Sequence, residues 1–258
     1  MIFAGAPLAR RIEAAEAAIA RGCAERQPGA AVLEIAGGTI VFQGADSPLS
    51  QAVGLGLNGA VRESELNTIE AFFRSRGAPV TIDLCPLADP GLVECIGRRG
   101  YRITEFNNVL VRPLAAMETA ASPRVRRALA AEREQWAQTA GHGFFEQSDL
   151  TDPEMEVGRA IFLMPGALCY LAESETGARA GAAAMVVCGG VAELFADSTI
   201  TGFRRRGVHR ELIAARLKEA AALGSDVAAA TTAPGSGSQR NYERMGFHVA
   251  YTKATLVG

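Results

Sequence analysis

Residues 199–212 read Thr-Ile-Thr-Gly-Phe-Arg-Arg-Arg-Gly-Val-His-Arg-Glu-Leu. Ahead of them Val191–Asp197 reads as a strand, and behind them Val208–Leu223 reads as an amphipathic helix. The turn between holds Arg204, Arg205, Arg206 and Gly207. A glycine-bearing turn that opens a helix leaves several backbone N–H groups without intrahelical partners, all pointing one way. With the positive end of the helix dipole they make an anion site suited to phosphate.

Working outward, Ala128–Thr139 reads as a helix, and Thr151-Asp152-Pro153 starts another that runs to about Phe162, with Asp152 as its N-cap. Ala167–Ala172 and Ala180–Val187 read as strands. Downstream, Asp226–Thr232 reads as a strand, Gln239–Met245 as a helix ended by Gly246, and Phe247–Val257 as a closing strand. The first half has the same grammar. Leu8–Arg21 is a helix, Ala31–Ala36, Thr39–Gln43 and Gln51–Leu57 are strands, and Glu63–Arg76 is a helix ended by Gly77. Val80–Cys85, a short helix over Gly91–Arg99 and extended Tyr101–Val111 follow. Met117–Arg124 holds small residues and Pro123, the pattern of a linker.

Shifting the first half by 146 residues brings Glu65-Leu66 onto Glu211-Leu212, Gly100 onto Gly246, Tyr101 onto Phe247 and Leu110-Val111 onto Leu256-Val257. One offset and one order of elements imply two copies of a single fold. The shift also sets Gly59-Ala60-Val61-Arg62 against Arg205-Arg206-Gly207-Val208, and Ile96 against Tyr242. The first copy therefore lacks the arginine–glycine turn and the phenol.

Arg204-x-x-Gly207-x-His209 resembles the phosphate-cradling loop of the GCN5-related N-acetyltransferase (GNAT) superfamily, which ends in Gly or Ala where this chain has His209. Ser238–Phe247, with Tyr242-Glu243 and Gly246-Phe247, resembles that family's segment after the loop. The resemblance covers about residues 118–258. It implies an α/β (α+β) architecture of two tandem GNAT-like domains, residues 1–115 degenerate and 116–258 functional, each a mostly antiparallel mixed sheet flanked by helices. It implies acetyl-CoA as co-substrate, held by the main chain of Arg205, Arg206, Gly207, Val208, His209 and Arg210 and by Arg204. In the family the preceding strand splays at a bulge and binds pantetheine, which falls here on Asp197, Ser198 and Thr199. Ser238 takes the position of a small residue that lets CoA pass. Gly235 stands where many relatives have an asparagine that bonds the cofactor, so the resemblance implies that this bond is missing or made by Ser236, Ser238 or Asn241, and Asn241 is counted among the cofactor-side residues. Tyr242 takes the place of a general acid and Glu193 that of a general base, with Asp197 a second candidate for the base.

The expected function is acetyl transfer to a primary amine of a small molecule or peptide by direct attack on the thioester. The reading from another class is a non-catalytic acetyl-CoA or CoA sensor. A net charge of −2 gives no field for nucleic acid, and no uninterrupted apolar run suits a membrane span. Five dispersed cysteines, with no signal-peptide pattern, lead to the expectation of a cytoplasmic protein, and three unpaired histidines to that of no metal. A monomer or a homodimer is expected, since tandem copies can satisfy within one chain an interface that single copies make by pairing.

Overall fold

The computed structural model describes residues 4–114 and 124–258. Residues 117–123 of the expected linker lie outside the described residues. The chain forms two compact units. One comprises the chain up to Val109 together with Val249–Gly258, and the other comprises Leu110–His248.

In the first unit α1 (Ala6–Ala24) is longer than the expected helix, because Ala-rich sequence carries it through Gly22. Then come β1 (Ala31–Ile35), β2 (Gly38–Phe42), β3 (Gln51–Val53), α2 (Glu63–Arg74), β4 (Thr81–Leu84), α3 (Pro90–Arg98) and β5 (Arg102–Pro113). β3 stops well short of Leu57, since Gly54 and Gly56 both take positive φ. β1, β2 and β3 are antiparallel neighbours, and β3 pairs β4 in parallel. The core gathers Ile40, Leu66, Ile69, Phe73, Ile82 and Leu92.

The second unit holds β6 (Val125–Arg127), α4 (Arg133–Phe144), α5 (Asp152–Leu163), β7 (Leu168–Glu173), β8 (Arg179–Cys188) and β9 (Val191–Thr199). α6 (Val208–Ala222), β10 (Val227–Thr232) and α7 (Gly237–Arg244) complete its helices and strands, and β11 (His248–Val257) closes the chain. α4 starts later than expected, because β6 pairs β7 and a 3-10 turn over Ala130–Glu132 precedes the helix. The N-cap of α5 is Thr151, one residue before the expected Asp152. Its hydroxyl accepts from Glu154 N, and Glu154 Oε2 accepts from Thr151 N at 2.8 Å.

The 146-residue offset holds from α2 onward. It carries the first residues of α2, β4, α3 and β5 to within one residue of those of α6, β10, α7 and β11. Upstream the copies differ in length. Ala52 lies 30 residues before its parallel partner Ile82, whereas Ala192 lies 36 before Ala228. The first copy is six residues shorter between these rungs, the interval that holds the arginine turn in the second copy.

The units also part company with the boundary drawn at residues 115/116. β11 pairs β4, with Ala254 opposite Leu84 and Leu256 opposite Ile82, so the last strand of the second copy belongs to the first unit. Leu256 packs in the core of Leu66 and Phe73, while Leu110 of β5 packs in the core of Leu212 and Leu217. Within the first unit β11 also brings in Lys253, 1% exposed, whose Nζ lies 2.8 Å from Asp83 and 3.5 Å from Glu13 and also pairs with Glu16. Tyr251 donates to Glu13 at 2.9 Å.

Among the described residues no helix is long and apolar enough to cross a membrane.

Candidate active site

β9 is antiparallel to β8 and parallel to β10, but its ladder with β10 is recorded only at Val191, Ala192 and Glu193. Beyond Glu193 the two strands part. Against β8 the register breaks. Ala184 faces Phe195 and Ala182 faces Ser198, so Ala183 alone faces both Ala196 and Asp197. Ala196 takes φ +53°, rare for a residue with a Cβ. This is a β-bulge, and it re-aims the strand. Leu194 packs in the core under α6, whereas Phe195 and Ala196 both pack on the α4 side. Two successive residues on one face return Asp197 to the α6 side, which strict alternation would have denied it.

The α4 side closes onto the same stretch. Ser198 Oγ donates to Ala140 O at 2.7 Å. A Cβ on Gly143 would stand 2.1 Å from Ser198 Oγ and 2.8 Å from the Thr199 backbone, so only glycine lets α4 approach there. Arg204 fastens the loop to this helix end. Its guanidinium donates to Thr199 O (3.2 Å), Gly143 O (3.0 Å) and the Glu146 carboxylate (2.9 Å).

The loop then enters α6 through Arg205 at φ +63° and Gly207 at φ +85°. Left-handed residues in such a turn help curl successive N–H groups toward one point. Gly207 is the N-cap and no side chain caps it. The acid in the first turn, Glu211, is turned away to Arg124, which donates to both its carboxylate oxygens.

These parts surround a cleft of about 780 Å³ whose walls include Asp197, Ser198, Thr199, Arg204, Arg205, Gly207, Val208, His209, Arg210, Ser238 and Asn241. Eleven of the twelve cofactor-side residues expected from the sequence therefore meet in one place. Arg206 is not among them, and its guanidinium lies 5.7 Å from the Phe203 ring centre. The walls also hold Gly143, Glu146, Phe203, Gly237, Arg240 and Arg244, which the sequence reading passed over. Arg240 and Arg244 could have been found. They stand four apart on α7 beside Gly237 and Asn241, one face of a helix. Gly143 and Glu146 come from the distant α4, and no local pattern marks them.

Neither expected catalytic residue lines the cleft. Glu193 is 2% exposed and occupies the last rung before β9 and β10 part. Tyr242 is 1% exposed, and its hydroxyl donates to Asp197 Oδ2 at 2.5 Å. Asp197 also pairs with the fully buried Arg216, and His209 Nε2 stands 3.2 Å from Asp197 Oδ1 without the alignment of a hydrogen bond. His209 Nδ1 is 3.1 Å from Asn241 Nδ2, and the His209 ring meets Tyr242 edge-on at 5.5 Å. Burial works to raise the Asp197 carboxyl, but the Arg216 guanidinium, followed by His209, overrides it and holds it well below the usual range. Burial, followed by the Asp197 charge, pushes the Tyr242 phenol well above its ordinary value, so it stays protonated.

The site suits a polyphosphate carrying a slender arm. Uncapped amides and the arginine-lined walls face the charged end, and the parting of the strands beyond Glu193 leaves room for the arm.

Comparisons with known proteins bear on family and fold. The family model described as "Acetyltransferase (GNAT) family" matches residues 124–247. Among solved structures, a GCN5-related N-acetyltransferase from Kribbella flavida is 20% identical, with 97% of this chain and 95% of that one covered at a TM-score of 0.70. A tandem GNAT protein from the clavulanic acid biosynthesis pathway is 14% identical, covering 99% and 94% at 0.61. A functionally unknown conserved protein from Staphylococcus epidermidis is 11% identical, covering 90% and 95% at 0.62. At these identities the likeness is one of fold, and it runs through both halves. A comparison with curated proteins found no match.

Proposed function

Residues 124–247 form a domain of the GNAT acetyltransferase family, and from that premise we propose that the protein is an acetyl-CoA-dependent N-acetyltransferase acting on a primary amine of a small molecule or peptide. One observation carries the reading. The uncapped start of α6 opens into the same cleft as the stretch of β9 that has left β10. Bound acetyl-CoA supplies a thioester whose carbonyl carbon the amine attacks as the thiolate departs.

The chain's own residues divide the work. Main-chain N–H groups from Arg205 to Arg210 bind the pyrophosphate, and Arg205, Arg210, Arg240 and Arg244 add positive charge around it. Arg204 serves the fold of the loop, since its guanidinium is spent on Gly143, Thr199 and Glu146. The backbone of Asp197–Thr199 orients the acyl arm. Glu193, at the last rung before the strands part, is the proposed base. Tyr242 has its proton committed to Asp197. The proposal therefore gives it a positioning role and lets the thiolate leave without a proton from this phenol, in place of the general acid expected from the resemblance.

The first half is proposed as a copy that binds no acetyl-CoA. The second reading, a CoA sensor without turnover, has one observation in its favour: Glu193 and Tyr242 both lie below the cleft surface.

Calorimetric titration of the whole chain with acetyl-CoA tests the donor site, and one site per chain, lost in Gly207→Glu, is the expected result. Two sites would refute the degenerate first half, and none would refute the enzyme. A screen of amines by thiol release then separates enzyme from sensor. With a turned-over amine, Glu193→Gln lowers kcat about 10²-fold or more if it is the base. Tyr242→Phe changes it far less if positioning is its role.

A further inference from the structure

A bulge breaks a ladder and leaves carbonyls that a buried segment must satisfy. Here a single side chain from another element does so. Arg216, on the buried face of α6 and 0% exposed, donates through Nη1 to Ala184 O (3.0 Å) and Phe195 O (3.4 Å), the carbonyls of the last matched pair before the bulge. Its Nη2 pairs with Asp197, the first residue that the bulge turns back toward α6, and its Nε donates to Leu212 O at 3.1 Å. Tyr242 reaches the same carboxylate from α7. One guanidinium thus joins the helix whose start faces the phosphates to the kink that frees the strand edge.

We propose that the Arg216–Asp197 pair is the positioning element of the acyl-donor site: it sets the β9 bulge and locks it to α6, so that the loop amides and the edge at Asp197–Thr199 keep one spacing. The inference rests on the donor-site reading above. Arg216 touches no bound molecule in this scheme, because it lies outside the cleft walls and acts through backbone it holds. The planar fork is the chemical requirement, since four acceptors in different directions, on Ala184, Phe195, Asp197 and Leu212, need several N–H groups from one rigid group.

The test separates position from stability. A buried pair replaced whole by apolar residues commonly keeps or gains stability. The double variant Arg216→Met/Asp197→Leu is therefore compared with the wild type in thermal unfolding, in acetyl-CoA titration and in amide hydrogen exchange over residues 194–199. Removing Asp197 also takes a negative charge from the cleft wall, which by itself favours phosphate. The expected result is an unfolding midpoint near that of the wild type, a dissociation constant raised about tenfold or more, and faster exchange at 194–199. Unchanged affinity at a retained midpoint overturns the proposal and leaves the pair a stabilising contact only. If the double variant does not fold, Arg216→Lys takes its place. It keeps the charge and loses the fork, so affinity equal to wild type would likewise overturn the proposal. If the wild type itself binds no acetyl-CoA, the donor-site reading fails separately, and exchange at 194–199 still decides whether the pair holds the bulge.

Discussion

The helix starts of the two copies, α2 and α6, face the same electrostatic problem and solve it in opposite ways. α2 begins at Arg62 with Glu63 and Glu65 in its first turn, and Glu65 Oε2 accepts from Arg62 N at 2.8 Å. It has supplied its own anion. α6 begins at Gly207 with no cap, and its only first-turn acid is held aside by Arg124. A helix start that keeps its amides open, beside a strand that has left its neighbour, is a place for a ligand. One that caps itself is a piece of scaffold. The buried ions differ in the same sense. Arg216 and Asp197 of the second unit sit at the bulge, whereas Lys253 of the first unit is enclosed by Asp83, Glu13 and Glu16, where the short β3 runs in unbroken register with β2.

The largest effect expected from this contrast is on binding. Gly207→Glu places a carboxylate and a strained backbone at the open start, and acetyl-CoA affinity should fall more than about 100-fold, or about 2.7 kcal/mol by calorimetry. Its counterpart, Glu65→Ala, opens α2. It should cost about 0.5–2 kcal/mol of stability, as cap losses do, and create no second acetyl-CoA site, because the first copy is six residues short there. A second site after that change would break the comparison.

Next in size is close packing. Gly143→Ala drives a methyl into Ser198 and Thr199 and should destabilise by about 1–3 kcal/mol, with weaker acetyl-CoA binding. In the first unit Gly97→Ala meets nothing within 4 Å near the end of α3 and should stabilise by up to about 1 kcal/mol. Denaturant titration reads both.

The third effect is a slope. Burial, working against the attraction of Lys253, raises the Glu13 carboxyl to about 7, with Glu16 and Asp83 adding to the rise and the Tyr251 hydroxyl opposing it. The folded chain therefore keeps a proton that the unfolded chain gives up at its ordinary 4.5. The resulting stabilisation is complete below that value and is lost as pH rises through about 7. Glu13→Gln should flatten stability over that window, by up to about 1.4 kcal/mol per pH unit, and leave acetyl-CoA affinity unchanged. A curve as steep as that of the wild type would remove Glu13 from the cluster's titration.

Much of this was legible in the residues because it is local. Gly207 after three arginines marked an open helix start, and the offset of 146 placed α6, β10, α7 and β11 from their counterparts. Both rest on features read over a few positions: positive φ, period, caps. Arg216 was not legible. On a helix with Leu212, Ile213 and Leu217 it looks like one more cation, and only the carbonyls of Ala184 and Phe195 give it a task. Arg204 was read as a cofactor-side residue, and its bonds to Gly143 and Glu146 were not legible, because α4 lies some sixty residues away in sequence. Tyr242 was recognised by its place in a motif, yet which way its hydroxyl points depends on where Asp197 lies.

By itself, then, the sequence determined the types and order of most of the elements, the repeat, and the glycine-bearing turn that opens α6, since these follow from propensity and spacing along the chain. Tertiary structure decided the rest. β11 joined the unit of the first copy, because a strand's face pattern says which side is apolar and not which edge it will pair with. The bulge at Ala196 turned Asp197 toward Arg216, because one extra residue reverses every side chain after it. The aim of Arg204, Arg216 and Tyr242 followed, because a polar group withdrawn from water goes where an acceptor waits, and those acceptors stand 4 to 61 residues away.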